Sequence, residues 1–146
     1  MHCRGGRPIG RLRPDEARRR FATARIARLA TVRASGVPHL VPVTFAVDGD
    51  RVVTAVDAKP KRSTRLARLD NIAYQPRVSL LVDVWDEDWA RLWWVRADGI
   101  ARILDSDEDA IARLQARYQQ YVDRPPGGPI IVVEVERWIG WTAASR

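Results

Sequence analysis

The sequence predicts a mostly β fold: a six-stranded antiparallel barrel, closed or partly closed, with short helices between the strands. Three observations carry this. Six segments alternate apolar and polar residues at the two-residue period of a strand. Tight turns or short helices separate them, so consecutive strands read as hairpin neighbours. The 146 residues suit one domain, and no repeat, low-complexity tract or linker divides them.

Residues 1–13 read as a flexible basic arm and residues 14–146 as the domain. Pro14, Asp15 and Glu16 open a helix running to about Leu29, with Ala17, Phe21 and Ala24 on its apolar face. Leu29 to Ala34 is the first strand, closed by Ser35 and Gly36. Val37 to Val47 is a long second strand, and Pro38 and Pro42 inside it require an edge or a bulge. Asp48-Gly49-Asp50 turns the chain into Arg51 to Val56, completing a three-stranded meander. A basic turn from Lys59 to Arg65 leads into a helix carrying Leu66, Leu69 and Ala73, with Ser63 or Thr64 as N-cap and Gln75-Pro76 as the stop. Arg77 to Trp85 and Arg91 to Leu104 are strands flanking the acidic loop Asp86-Glu87-Asp88, with a bulge at Gly99. Ser106 and Asp109 form a capping box for a helix whose buried stripe is Ile111, Leu114, Tyr118 and Tyr121. Ile130 to Val135 is the last strand, followed by a tail with Trp138 and Trp141.

Charge narrows the function. The net charge is +7, from 25 basic and 18 acidic residues, but it is local. Residues 1–34 hold ten arginines against Asp15 and Glu16, a local +8, and the rest of the chain is −1. That distribution argues against a nucleic-acid domain. So does the absence of stacking aromatics from the first twenty positions. Cys3 is the only cysteine, so no internal disulfide forms, which favours a reducing, cytoplasmic setting. No apolar run is long enough to span a bilayer, and no secretory signal is expected.

Catalytic constellations are nearly absent. Two histidines, His2 and His39, make no metal motif, and the acidic clusters at 86–88 and 105–109 read as solvated loop and cap residues. There is no nucleophile elbow, Walker loop or Gly-x-Gly-x-x-Gly turn. Any enzyme here needs a cofactor to supply the reactive atom. One segment could hold it. Lys59, Lys61, Arg62 and Arg65 surround a helix N-terminus whose free N–H groups and partial positive charge suit a phosphate. A solvated basic turn is the alternative. Trp93 and Trp94, adjacent on a strand, face opposite sides of the sheet, so at least one covers a ligand, packs under a helix or meets a partner.

These residues resemble a family. Ala30-Thr31-Val32-Arg33-Ala34-Ser35-Gly36-Val37-Pro38-His39, then Pro42-Val43, then Lys61-Arg62-Ser63-Thr64-Arg65-Leu66 are similar to the split-barrel flavin and deazaflavin oxidoreductases, relatives of pyridoxamine 5′-phosphate oxidase. Pro76 to Asp83, Asp98-Gly99-Ile100-Ala101 and Trp138-Ile139-Gly140-Trp141 continue the match over about residues 16 to 142. The pattern is most similar to the branch using coenzyme F-420, an 8-hydroxy-5-deazaflavin. The resemblance implies an FMN-binding split barrel that is a homodimer, with a cofactor site at the subunit interface, moving hydride to a small organic substrate. Lys61, Arg62 and Ser63 would grip the phosphate, assisted by Lys59 and Arg65. Val43, Thr44 and Phe45 would lie beside the ring system, and Thr54, Ala55, Val56 and Asp57 on the neighbouring strand. Leu92, Trp93 and Trp94 would come from the other subunit, and some of Arg11, Arg13, Arg18, Arg19 and Arg20 would lie near the glutamate tail of the deazaflavin. Within the same fold, FMN in place of the deazaflavin and a non-catalytic storage role are the alternatives. The vitamin-B6 substrate residues have no counterpart, and no metal site is expected.

Overall fold

A computed structural model describes residues 10–56 and 63–143, with the side chains of residues 63–66 outside that description. The chain runs β1 (Gly10–Arg11), α1 (Pro14–Thr23), β2 (Ala27–Val32), β3 (Pro38–Val43), β4 (Ala46–Asp48), β5 (Arg51–Ala55), α2 (Ser63–Tyr74) and β6 (Arg77–Val84). A 3-10 turn (Trp89–Arg91) precedes β7 (Trp93–Leu104), and α3 (Glu108–Arg117), α4 (Gln119–Asp123) and β8 (Ile130–Thr142) complete it. One antiparallel sheet has the order β3-β2-β6-β7-β8-β5-β4, with β1 added on β8.

The sheet curls around an apolar centre because alternate residues point inward. Ala27 and Leu29 on β2, Val78, Leu80 and Val82 on β6, and Val95, Ala97 and Ala101 on β7 are buried. Helix α1 plugs this interior: Phe21 is fully buried, with its ring 4.9 Å from Phe45 and 5.4 Å from Trp138. A second, smaller core lies under α3, where Ala110 and Leu114 pack on Ala46, Val53, Ile130 and Val132. Strand β8 serves both cores, and so Ile130 to Val133 is buried without alternation.

The barrel character stands, and several elements differ from expectation. Helix α1 ends at Thr23, well short of Leu29, because the chain from Ala27 onward buries every second residue. The long second strand is two strands on opposite edges of the sheet, so the three-stranded meander does not form. Side chains take over the backbone groups at the break, where Tyr118 Oη accepts from Phe45 N–H at 3.2 Å and Thr54 Oγ1 donates to Thr44 C=O at 2.6 Å. Both prolines lie on β3, an edge strand that tolerates the missing donors. The expected tail is instead the second half of β8, with Trp138 buried.

The register shift sits at Asp98/Gly99, where a Cβ on Gly99 would approach the Glu134 carbonyl oxygen to 2.2 Å. Helix α3 is capped by Asp107, not Ser106, through Ala110 N–H at 3.1 Å. On α2, Asn71 and Ile72 are buried and Ala73 is exposed. Of the residues expected as an arm, Gly10 and Arg11 pair with Thr142 and Trp141, and Leu12 is buried. Among the described residues no helix is long and apolar enough to cross a membrane.

Candidate functional site

The break between β3 and β4 opens a cleft of about 830 Å³. Its floor is Pro42, Val43 and Thr44 at the end of β3 with Ala55 at the end of β5. Arg68 of α2 forms one wall, and Tyr118, Tyr121 and the residues after α4 form the other. Small floor residues leave open space, while the tyrosines supply aromatic edges and hydroxyls. A largely apolar cavity of this size with a few converging polar groups fits a flat heterocyclic ring. Arg68 and Arg124 stand against Asp123, the one carboxylate lining the cleft among the described residues.

The tyrosine wall is held rigidly. Arg117, at the end of α3, donates to the carbonyls of Ala22, at 2.8 Å, and Ala24. Its guanidinium covers the rings of Phe45 and Tyr118 at 4.9 and 5.3 Å. Tyr118 Oη lies 3.0 Å from the carbonyls of both Arg25 and Phe45, to one of which its proton goes. Tyr121 Oη meets Thr44 Oγ1 at 2.7 Å, tying α4 to the cleft floor. Behind α2, the Asn71 amide donates to Thr31 Oγ1 at 3.0 Å. Nearby His39 is buried on β3. Burial, then the charges of Arg33 and Arg68, hold its pKa below the ordinary histidine value, so its imidazole is neutral at pH 7.

Of the residues expected at the site, the structure brings Val43, Thr44 and Ala55 together on the cleft floor. Phe45 and Thr54 are fully buried and Val56 nearly so, which makes them supports beneath the cleft. Leu92, Trp93 and Trp94, expected at the cleft of a partner subunit, do not line the cleft of their own chain. Trp93 packs against the core under α1, with the Arg20 guanidinium 5.6 Å from its ring, and Trp94 is on the opposite sheet face. Asp57, Lys59, Lys61 and Arg62 lie outside the described residues; Ser63 and Arg65 are in the first turn of α2, their side chains outside the description. The α1 arginines are engaged elsewhere: Arg18 pairs with Asp50 at 3.2 Å, and Arg19 and Arg20 pair with Glu16 at 2.6 and 2.8 Å. Sequence reasoning missed Tyr118, Tyr121 and Arg68 as cleft residues. The available signal was two tyrosines in an apolar stripe, since each buried ring brings a hydroxyl that needs a partner.

A second, smaller groove of about 430 Å³ crosses the outer face of β2, β6 and β7 beside the bulge. Its polar centre is Asp98, which accepts from Ser79 Oγ at 2.8 Å, from Arg96 at 2.8 and 3.1 Å and from Arg137 at 3.2 Å. Among the described residues no three His, Cys, Asp or Glu side chains group to hold a metal.

A curled antiparallel sheet with a cleft at the break between β3 and β4 defines a split barrel. The chain belongs to the pyridoxamine 5′-phosphate oxidase family, whose sequence model matches residues 14–142. Over 56 residues it is 41% identical to the 5a,11a-dehydrotetracycline/5a,11a-dehydrooxytetracycline reductase of Streptomyces rimosus, a stretch that spans 38% of each chain. Its fold is similar to an FAD-binding protein of Mesorhizobium loti (TM-score 0.66, 18% identity, covering 89% of this chain and 94% of that one). It is equally similar to a heme storage protein of Vibrio cholerae (TM-score 0.67, 17% identity, 90% and 96% covered). At these identities the two structures establish the fold alone.

Proposed function

We propose that this protein is an oxidoreductase that binds coenzyme F-420 in the cleft and directs hydride from it to a small organic substrate. The observation that carries the reading is the cleft itself, where Val43, Thr44 and Ala55 form an open floor under a tyrosine wall. Lys59, Lys61 and Arg62 lie in the sequence between β5 and α2, and Ser63 and Arg65 in the first turn of α2; together they would supply the charge and helix N-terminus that a phosphate needs. Family membership supports a flavin-type cofactor, and the Streptomyces relative supports a reductase. That relative's name describes the reduction of a dehydro compound, so the substrate class proposed here is a carbon–carbon double bond. Accepting hydride requires such a bond to be polarised, and a conjugated carbonyl group does this.

The cofactor when bound supplies the hydride, and the protein's residues bind, orient and exclude water. Arg68 adds positive charge to one wall, and the Arg117–Tyr118 clamp keeps the ring slot at a fixed width. The proposed assembly is a homodimer. Val32, Leu40 and Leu81 project from one outer sheet face and are all exposed, Leu40 to 66%. Trp94 shares that face across from Asp83. An apolar face of this kind suits a second copy of the chain. The proposed setting is the cytoplasm.

Fluorescence titration of the purified protein with coenzyme F-420 and with FMN tests the cofactor. F-420 is expected to bind much the tighter, with affinity dropping at least tenfold in a Lys61→Ala, Arg62→Ala double variant, since charge-assisted contacts carry roughly 1.5–3 kcal/mol each. Tighter FMN binding would transfer the reading to an FMN-dependent enzyme of the same fold. Tight cofactor binding without turnover on enones, quinones and nitro compounds would make the protein a store. Sedimentation of wild type against Leu40→Glu tests the assembly, and an unchanged dimer in the variant would remove this face from the interface.

A further inference from the structure

The geometry points to the Thr44–Tyr121 hydroxyl pair as the proton donor of the reaction, serving a carbonyl oxygen on the substrate. This rests on the hydride-transfer reading above. The two oxygens lie 2.7 Å apart, and both residues line the cleft. Two hydroxyls own two protons, and one proton suffices to bridge them. The other proton must leave the pair. Thr54 is no outlet: its Oγ1 donates to the Thr44 backbone carbonyl at 2.6 Å, and among the described residues it makes no hydrogen bond with either hydroxyl of the pair. The pair therefore presents one O–H to the cleft, polarised by the hydrogen bond behind it.

Tyr118 shows the contrast on the same wall. Its hydroxyl is consumed by the backbone, accepting from Phe45 N–H and facing two carbonyls. Among the described residues no backbone group claims the Tyr121 hydroxyl, and Gln115 Nε2, donating to the Tyr121 carbonyl at 3.1 Å, fixes its backbone. A hydroxyl donor held by a hydrogen bond in a largely apolar cavity is suited to an oxygen on which negative charge develops.

In the proposed step, hydride from the reduced deazaflavin reaches the β-carbon of a carbonyl-conjugated double bond. The π pair moves toward the carbonyl oxygen, giving an enolate and leaving the cofactor oxidised by two electrons. Tyr121 Oη transfers its proton to that oxygen, and the resulting enol relaxes to the saturated ketone. The tyrosinate is reprotonated by water through the Thr44 hydroxyl. The substrate has gained one hydride and one proton, and the protein returns to its starting state.

The experiment uses full-length protein loaded with coenzyme F-420, with 2-cyclohexen-1-one as substrate and cyclohexanone as a non-reducible carbonyl probe. Wild type, Tyr121→Phe, Thr44→Val and Thr44→Ser are compared for cofactor affinity, cyclohexanone affinity, turnover and melting temperature. Tyr121→Phe is expected to weaken cyclohexanone binding about tenfold, the value of one lost hydrogen bond. It should lower kcat about 10²-fold, the size of general-acid catalysis, with cofactor affinity held within about threefold. Thr44→Val should lower kcat by a smaller factor and Thr44→Ser restore it. Undiminished ketone affinity and kcat in Tyr121→Phe would overturn the assignment while leaving the cofactor reading intact. So would a parallel loss of cofactor affinity, which makes Tyr121 a wall residue, or a loaded wild type that does not bind cyclohexanone. A wild type that binds neither F-420 nor FMN defeats the cofactor reading, and the assignment with it.

Discussion

The cleft at the strand break and the groove beside the bulge are both lined by polar groups, yet those groups are spent differently. In the groove, Asp98 receives four hydrogen bonds from Ser79, Arg96 and Arg137, and Arg77 lies 3.8 Å from Glu136. Burial pushes the Asp98 carboxyl up, but Arg96, Ser79 and Arg137 outweigh it and hold it below the ordinary range. In the cleft, two hydroxyls share a single contact and leave one donor over. A binding site needs polar capacity that the fold has not consumed. By that criterion the larger opening is the one that suits the proposed site, and the smaller one is a seam that fastens β6, β7 and β8.

The sharpest way to break the contrast is to collapse the cleft wall. Arg117→Ala removes two hydrogen bonds to the carbonyls of Ala22 and Ala24 and uncovers the rings of Phe45 and Tyr118. The expected loss is about 3 kcal/mol, from charged-donor hydrogen bonds and cation–π contacts together. Urea unfolding measures it, and cofactor affinity should fall in the same variant.

Breaking the seam should cost less and leave the cleft alone. Asp98→Asn strips the charge that three side chains converge on, for an expected loss of about 2 kcal/mol, with cofactor affinity unchanged. The sign of the pH effect follows from the direction of the shift. A carboxyl whose folded pKa lies below its unfolded value of 3.8 stabilises the fold fully above that value. The contribution disappears as pH falls through the folded value. Acid unfolding of wild type should therefore be steeper below pH 4 than that of the variant.

What sequence could and could not supply follows the same division. Alternation marked the strands, and the prolines of β3 correctly marked an edge, because both follow from local backbone chemistry. The break after Val43 was invisible. Thr44 and Phe45 continue the alternating pattern, and only Tyr118 and Thr54, brought in from elsewhere in the chain, take their backbone groups out of the ladder. The tail read past Val135 is strand because β7 runs opposite it as far as Thr142, a partnership no local pattern encodes. Three floor residues of the cleft were legible by resemblance; its tyrosine wall was not, since an apolar stripe with two hydroxyls looks the same whether it faces a core or a ligand.

Tyr118→Phe separates support from chemistry on one wall. It removes the hydroxyl that satisfies Phe45 N–H while keeping the ring under Arg117, so a loss of about 1 kcal/mol is expected. Thermal denaturation reads that loss. A drop as large as that of Arg117→Ala would mean that the hydroxyl, and not the stacked guanidinium, holds the wall.

The smallest effect comes from His39, behind the cleft. Its Nδ1 is buried without a hydrogen-bond partner among the described residues, and the charges of Arg33 and Arg68 bear on the ring. Protonation would add a third cation to that setting, so the folded state resists it and the unfolded chain, titrating near 6.5, does not. Stability is then complete above about pH 6.5 and declines as pH falls through the lower folded value. One proton limits the slope to about 1.4 kcal/mol per pH unit. Urea midpoints from pH 8 to 5 should be flat above 6.5 and fall below it, and His39→Phe should flatten that fall. An unaltered fall in the variant would locate the titrating group elsewhere, leaving α2 indifferent to the charge on β3. If His39 is the group, acid weakens the packing behind Arg68 well before it reaches Asp98, and the cleft loosens at a higher pH than the seam.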